Sequence, residues 1–345
     1  MKTFNIVIIL SLSLFFSCRQ KETEVIKFAG QTMGTSYHIK IITNAAQADE
    51  YENLHVEIDS VLRNVNMKMS TFIPESEISR FNAFQSTEPF EVSPEFVSVL
   101  KSALQINKDS NGAFDVTVGP LVNLWGFGKD EARDEPPAEE EIKKTLAYVG
   151  SRLLHIIDDT HIRKDNPHTE IDFSAIAKGY GVDAVGNYIF SRGLKNYIVE
   201  IGGEIAVRGK NGDKLWRVGI DRPQYNEQPG AELEEIIQLT NAGIATSGDY
   251  RNYFVAEDRV YSHEIDPVSG RSIITGVASA TVIAPDCMNA DGLATALMVM
   301  GAEKGIKMIE NIANTEAFMI LRDKEGFKEV MSSGFDKYLL KNEPN

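Results

Sequence analysis

Short β-branched runs bounded by turn residues recur along this chain, and their grouping constrains the fold more than any other feature. They are YHIKIIT from Tyr37, LLHIID from Leu153, HIRK from His161, NYIVEI from Asn196, EIAVRG from Glu204, LWRVGID from Leu215, NYFVAEDRVYSHEID from Asn252, ASATVIA from Ala278 and EAFMILRD from Glu316. Several adjoin as hairpins, for instance VAEDRV with its turn at Glu257-Asp258. Helical patterns fall between the clusters, and a regular strand–helix–strand alternation is missing. That grouping predicts an α+β fold of antiparallel sheets with flanking helices.

The helices are legible from periodicity and caps. Leu54, Ile58, Val61, Leu62, Val65 and Met69 form one apolar stripe within ADEYENLHVEIDSVLRNVNMKMS. Ser93-Pro94-Glu95 opens a second helix that runs to about Asp109 and stops before Gly112. A third follows Ser174, and a fourth runs from about Asp286 to Met300 and ends at Gly301. The acidic run KDEARDEPPAEEEIKK, from Lys129 to Lys144, reads as a surface loop at Pro136-Pro137 feeding a helix near Ala138. It is a solvated face, without the ligand geometry of a metal site.

With 345 residues and 43% apolar content, the chain can bury one large core or two medium ones. The segment 1–17 stands apart. Lys2 precedes the apolar FNIVIILSLSLFF, which ends at Ser17-Cys18 before the composition turns to RQKETEVIK. This is the pattern of a lipoprotein signal peptide, with Cys18 as the lipidated residue and 18–27 as a polar tether to a domain over 28–340. A plain signal peptide or a short anchor helix shares the pattern. The expectation is a membrane-anchored lipoprotein on the extracytoplasmic, periplasmic side. Cys287 is the other cysteine, so an intramolecular disulfide is not expected. The net charge of −15 repels nucleic acid and anionic headgroups, so neither is expected as a direct partner, whereas an anionic cofactor stays compatible where a local cation such as a metal offsets the field.

Within IDFSAIAKGYGVDAV, at Ile171 to Val185, Gly179, Gly181 and Ala184 fit the dinucleotide fingerprint G-x-G-x-x-A, with Glu200 at a suitable distance. That fingerprint needs its first glycine at a strand tip. Here the helix-favouring SAIAK separates TEIDF from Gly179, which argues against a Rossmann unit.

Other segments carry candidate chemistry. Asp291 and Thr295 in NADGLATAL are four apart on a helix, so their oxygens share a face suited to a hard cation such as Mg²⁺. The same spacing serves a capped helix start with a solvated aspartate. His263 in YSHEIDPVSG precedes a turn at Asp266-Pro267 and could serve as a base near a phosphate site, or simply pack in a strand. No CxxC or H-x-x-x-H spacing supports zinc. GAFDVTVGPLVNLWGFG, from Gly112, reads as either a planar pocket for an aromatic ligand or a core strand with a turn. Gly202-Gly203 marks a turn where backbone can approach a ligand.

Taken in order, GQTMGT at Gly30, MSTF, GAFDVTVGPL, IDFSAIAKGYGVD, IVEIGGEI, ATSGDYRNYF, SHEIDPVSGRSI and SATVIAPDCMNADGLATAL resemble the ApbE-type flavin transferases, the FAD:protein FMN transferases. The resemblance spans Gly30 to about Gly301. It implies an enzyme that cleaves FAD with Mg²⁺, attaches FMN through its phosphate to a threonine or serine of a target protein, and releases AMP. It implies cofactor contacts at Met33, Phe72, Ala113, Phe114, Asp115, Asp172, Lys178 and Ile265. It implies metal ligands at the Ala175 carbonyl, Asp291 and Thr295, and His263 as the base for the acceptor hydroxyl. Phe72 stands where the family usually has a larger or hydroxylated aromatic, so stacking survives and a phenol hydrogen bond is lost. The implied partners are FMN-accepting subunits of membrane redox complexes or exported FMN-binding domains carrying a motif like D-x-[S/T]-G-A-[S/T]. Two other readings are a FAD pyrophosphatase, with water in place of the acceptor, and a non-catalytic flavin-binding lipoprotein.

Overall fold

Eight strands line up in one sheet, in the spatial order Thr23–Thr32, Thr35–Asn44, Tyr197–Ile201, Glu204–Arg208, Ala242–Gly248, Val277–Ala284, Glu316–Asp323 and Gly326–Met331. Every neighbouring pair is antiparallel. The computed structural model describes residues 23–44, 51–128, 133, 135–223, 233–248, 253–256, 259–262, 264–273, 275–323 and 326–340. The expected α+β architecture is present. Strand Thr23–Thr32 reaches back into the segment read as a polar tether, so that stretch enters the fold at Thr23.

The helices in chain order are α1 (Leu54–Met69), α2 (Glu77–Ala83), α3 (Pro94–Asp109), α4 (Gly119–Leu124), α5 (Glu139–Leu146), α6 (Ala177–Ser191), α7 (Cys287–Met300) and α8 (Ala302–Ile309). In α1 the stripe Leu54, Ile58, Leu62, Val65 and Met69 is buried, with Val61 at its margin. The Ser93 hydroxyl caps α3 by accepting from the Phe96 N–H at 3.3 Å. Helix α5 begins beside Ala138, whose N–H donates to Glu141.

Period-two alternation divides the sheet between two cores. Val282, Ala245, Ala317 and Met319 join the core built with α3 and α7. Their neighbours Ile283, Ile244, Phe318 and Ile320 point the other way, onto Trp216 and Ile237 of the two-stranded sheet Trp216–Asp221 with Leu233–Leu239, and onto Phe335, which follows Gly326–Met331. Covered on both faces, Val277–Ala284 is buried at every position. Helices α6 and α7 lie side by side against the middle of the sheet. That placement positions the site.

Some expectations change. GAFDVTVGPLVNLWGFG forms turns followed by the short α4 and contains no strand. Phe114 and Trp125 are buried, and the Trp125 indole donates to the Gly270 carbonyl at 2.9 Å, so they fill core and do not form a planar pocket. The long run from Asn252 breaks into Tyr253–Ala256, Arg259–Ser262 and Ile265–Asp266. The hairpin turn expected at Glu257-Asp258 lies outside the described residues. The third helix starts at Ala177, three residues beyond Ser174, because the Asp172 carboxylate accepts the Ser174 N–H at 2.8 Å and holds a turn there.

Candidate active site

Glycines let α6 and α7 approach to backbone distance. A Cβ on Gly179 would sit 2.4 Å from the Cys287 carbonyl oxygen and 2.8 Å from the Asp291 Cβ. One on Gly181 would meet the Met33 methyl at 2.7 Å. Met33 and Gly34, both at positive φ, form the tight turn of the first hairpin, and this turn presses Met33 onto α6. Gly179 and Gly181 therefore serve helix packing inside α6, which disposes of the dinucleotide fingerprint.

The side chains at this crossing carry charge. The Lys178 ammonium is 3.1 Å from Glu204 Oε1 and 3.9 Å from Asp291 Oδ1. The lysine side chain is 30% exposed, while the carboxylates of Glu204 and Asp291 are 6% and 4% exposed. Burial works against the Lys178 charge, but Asp291 and Glu204 outweigh it and hold its pKa above the ordinary lysine value. Burial and the Asp291 charge push Glu204 upward, against the pull of Lys178. Glu204 Oε2 is buried without a hydrogen-bond partner. Two carboxyl groups surround one ammonium in a dry place, and a further cation there would favour the charged form of both.

Oxygens for such a cation are present. The Gly179 N–H donates to Asp291 Oδ2 at 2.9 Å instead of to the Ala175 carbonyl four residues back. Among the described residues no backbone donor reaches that carbonyl, which leaves it free for a ligand. Thr295 lies one helical turn beyond Asp291, with its hydroxyl 3.3 Å from that of Ser247. A carbonyl, a carboxylate and a hydroxyl make a donor set suited to Mg²⁺, which takes few protein oxygens and completes its shell with phosphate and water. No group of three His, Cys, Asp or Glu side chains that could hold a metal occurs among the described residues, so a cation here needs such additional oxygens.

The remaining expected residues are distributed around this centre. The Asp172 N–H donates to the Val116 carbonyl at 2.7 Å, which ties the start of the α6 segment to the loop carrying Ala113, Phe114 and Asp115. Asp115 is 8% exposed and both its oxygens are engaged: Oδ1 accepts from the Thr117 N–H, the Thr117 hydroxyl and the Ser151 hydroxyl, and Oδ2 from Asn107 Nδ2 and the Ser151 N–H. It frames the loop. Phe114 is buried against Gly292 of α7. Ala113 borders a cavity of about 940 Å³ shared with Asp266, Ile273, Met300 and Lys304. Ile265 is buried with Leu121, Trp125 and Ile142 beneath α4. Phe72 is 80% exposed, just beyond the end of α1. His263 and Cys18 lie outside the described residues.

Glu204 and Asp183 join the site without having been singled out by the sequence. Asp183 accepts the N–H groups of Cys287 and Met288 at 3.0 and 2.8 Å. Its burial raises its pKa to about 7 despite those two bonds. The sequence signal for Glu204 was slight: an acid directly after Gly202-Gly203, at an inward position of a strand.

The sequence pattern of the ApbE family matches residues 33–319. The FAD:protein FMN transferase of Vibrio cholerae is 46% identical over 97% of this chain and 99% of its own length. That of Haemophilus influenzae is 41% identical over 97% and 98%. Among solved structures, the flavin transferase ApbE from Vibrio cholerae superposes with a TM-score of 0.83, covering 92% of this chain and all of its own. The apo flavinyl transferase ApbE of Pseudomonas stutzeri, 36% identical, gives 0.81 over 91% and 96%. With these likenesses running over nearly the whole chain, it belongs to the ApbE family of flavin transferases.

Proposed function

We propose that this enzyme transfers FMN from FAD to a threonine or serine hydroxyl of an exported or membrane redox protein, releases AMP, and requires Mg²⁺. The observation that carries the reading is the cluster at the α6–α7 crossing: one ammonium between two nearly buried carboxylates, beside a main-chain carbonyl that lacks its helical donor. The Ala175 carbonyl, Asp291 and Thr295 would hold the cation, which would supply positive charge against the charge developing on the phosphate oxygens. Lys178, held by Glu204 and Asp291, presents a second positive charge to the diphosphate. The acceptor oxygen attacks the phosphorus of the FMN half and the bond to the AMP phosphate breaks. AMP leaves with the bridging oxygen, and the hydroxyl proton passes to His263. Such base help is worth about 10²–10⁴-fold.

The proposed setting is the extracytoplasmic face of a membrane, with Cys18 lipidated. Among the described residues no helix is long and apolar enough to cross a membrane. Exported domains bearing the acceptor motif would be met there.

The test incubates the full chain, purified in detergent, with FAD, Mg²⁺ and an exported domain carrying the acceptor motif, and reads the target by intact mass. The expected result is one added FMN per target, abolished by EDTA and reduced about 100-fold or more in His263→Ala. Free FMN and AMP with an unmodified target would replace the transferase with a pyrophosphatase. Transfer at the wild-type rate by His263→Ala would remove the histidine from the mechanism.

A further inference from the structure

The first N–H groups of a helix have no partner within it, and α6 and α7 satisfy theirs by exchange. At the start of α7, Asp183 of α6 accepts from Cys287 and Met288 at 3.0 and 2.8 Å, and Asp286 accepts from Asn289 at 2.8 Å. At the start of α6, the Gly179 N–H donates to Asp291 of α7 at 2.9 Å. Each helix thus caps the N-terminus of the other with a carboxylate. The contact is as close as it is because Gly179 has no side chain to hold the pair apart.

The two pegs differ in kind. Asp291 belongs to the phosphate site and borders Lys178. Asp183 lies one turn further along α6 and does not touch Lys178 or Thr295. Yet it fixes where α7 begins, and α7 carries both Asp291 and Thr295, whereas α6 and the turn before it carry Lys178 and the Ala175 carbonyl. We propose that Asp183 is a positioning residue that sets the spacing between the Ala175–Lys178 side and the Asp291–Thr295 side of the site. A bidentate carboxylate on two successive N–H groups fixes both the direction and the depth of α7. An amide in its place offers one oxygen and turns an N–H toward one of the two donors. The consequence is an effect on metal binding from a residue that is not a ligand, in the way partners behind metal ligands tune affinity elsewhere.

This inference rests on the metal-site reading above, and its test separates the two. Asp183→Asn is compared with wild type in the full-length protein loaded with FAD, titrating Mg²⁺ by calorimetry and measuring FMN transfer in parallel. The expected result is a rise of about tenfold in the half-saturating Mg²⁺ concentration, with the KM for FAD at saturating Mg²⁺ unchanged. A merely structural cap would lower the melting temperature and leave half-saturation of the folded protein as it was, and that outcome overturns the proposal. If Asp183→Asn does not fold, Asp183→Ser, which keeps one acceptor, undergoes the same titration with the same criterion. Should the wild type take up Mg²⁺ without transferring FMN, the transferase reading falls, and the titration still decides the role of Asp183. A wild type that takes up no Mg²⁺ overturns both.

Discussion

Lys178 is held by two carboxylates of unequal purpose. Asp291 has one oxygen on Gly179 and the other toward the lysine, whereas Glu204 makes its 3.1 Å bond with Oε1 and leaves Oε2 unpaired. Glu204 thus keeps the ammonium away from Asp291, which sits farther off at 3.9 Å and stays available to a cation. Replacing Glu204 with Gln retains an acceptor and removes a buried charge. Folding stability is therefore expected to change little, because Asp291 still answers the lysine charge at 3.9 Å and the amide keeps a hydrogen-bond acceptor in place. The ammonium would then lean on Asp291 and compete with the proposed cation. Transfer at limiting Mg²⁺ should fall about tenfold and recover as Mg²⁺ is raised. Equal loss at every Mg²⁺ concentration would show that Glu204 does not act through Asp291. At this scale the sequence named Asp291, Thr295 and Lys178 through motif resemblance. It could not reveal Glu204, because an acid in a strand looks the same whether it faces solvent or a lysine.

Among elements, the α6–α7 pair decides the site, and Gly179 is its tightest point. Alanine is the better helix former by about 1 kcal/mol, so propensity alone favours Gly179→Ala. The space does not. With the new Cβ at 2.4 Å from the Cys287 oxygen, the helices must part and the Gly179–Asp291 hydrogen bond must lengthen. We expect a net destabilisation of about 1–3 kcal/mol in urea unfolding, together with loss of FMN transfer. A stabilised, active variant would mean that the helices separate freely. Helices α1, α3, α5 and α7 were legible because each announces itself by an apolar stripe or a cap. Helices α2 and α4 have 7 and 6 residues, too few for a period to emerge, and α4 follows a turn held by Asp115 through partners as distant as Ser151.

Across the whole molecule, one buried charge outside the site has a measurable signature. Lys164 is 0% exposed, donates to the Phe81 and Thr169 carbonyls at 3.2 and 3.0 Å, and has its pKa pushed down to about 8 by burial. Below pH 8 both folded and unfolded chains are protonated there, and the cost of burying the charge is constant. Between about 8 and the ordinary lysine value of about 10.4, the unfolded chain binds the proton and the folded one does not, so stability rises with pH. Relative to Lys164→Met, the wild type should gain up to about 3 kcal/mol across that window, read from urea unfolding at stepped pH. A difference between the two proteins that stays flat across the window would mean Lys164 keeps its charge in the fold. The sequence by itself determined the α+β class, the helices with stripes or caps, and the family, because local periodicity and ordered motifs are written in consecutive residues. Only the tertiary structure decided that Gly179 is a packing surface, that Asp115 frames a loop, and that Glu204 and Asp183 stand behind Lys178 and Asp291. Those roles come from contacts between residues far apart in the chain, and burial turns an ordinary side chain into one whose charge must be answered.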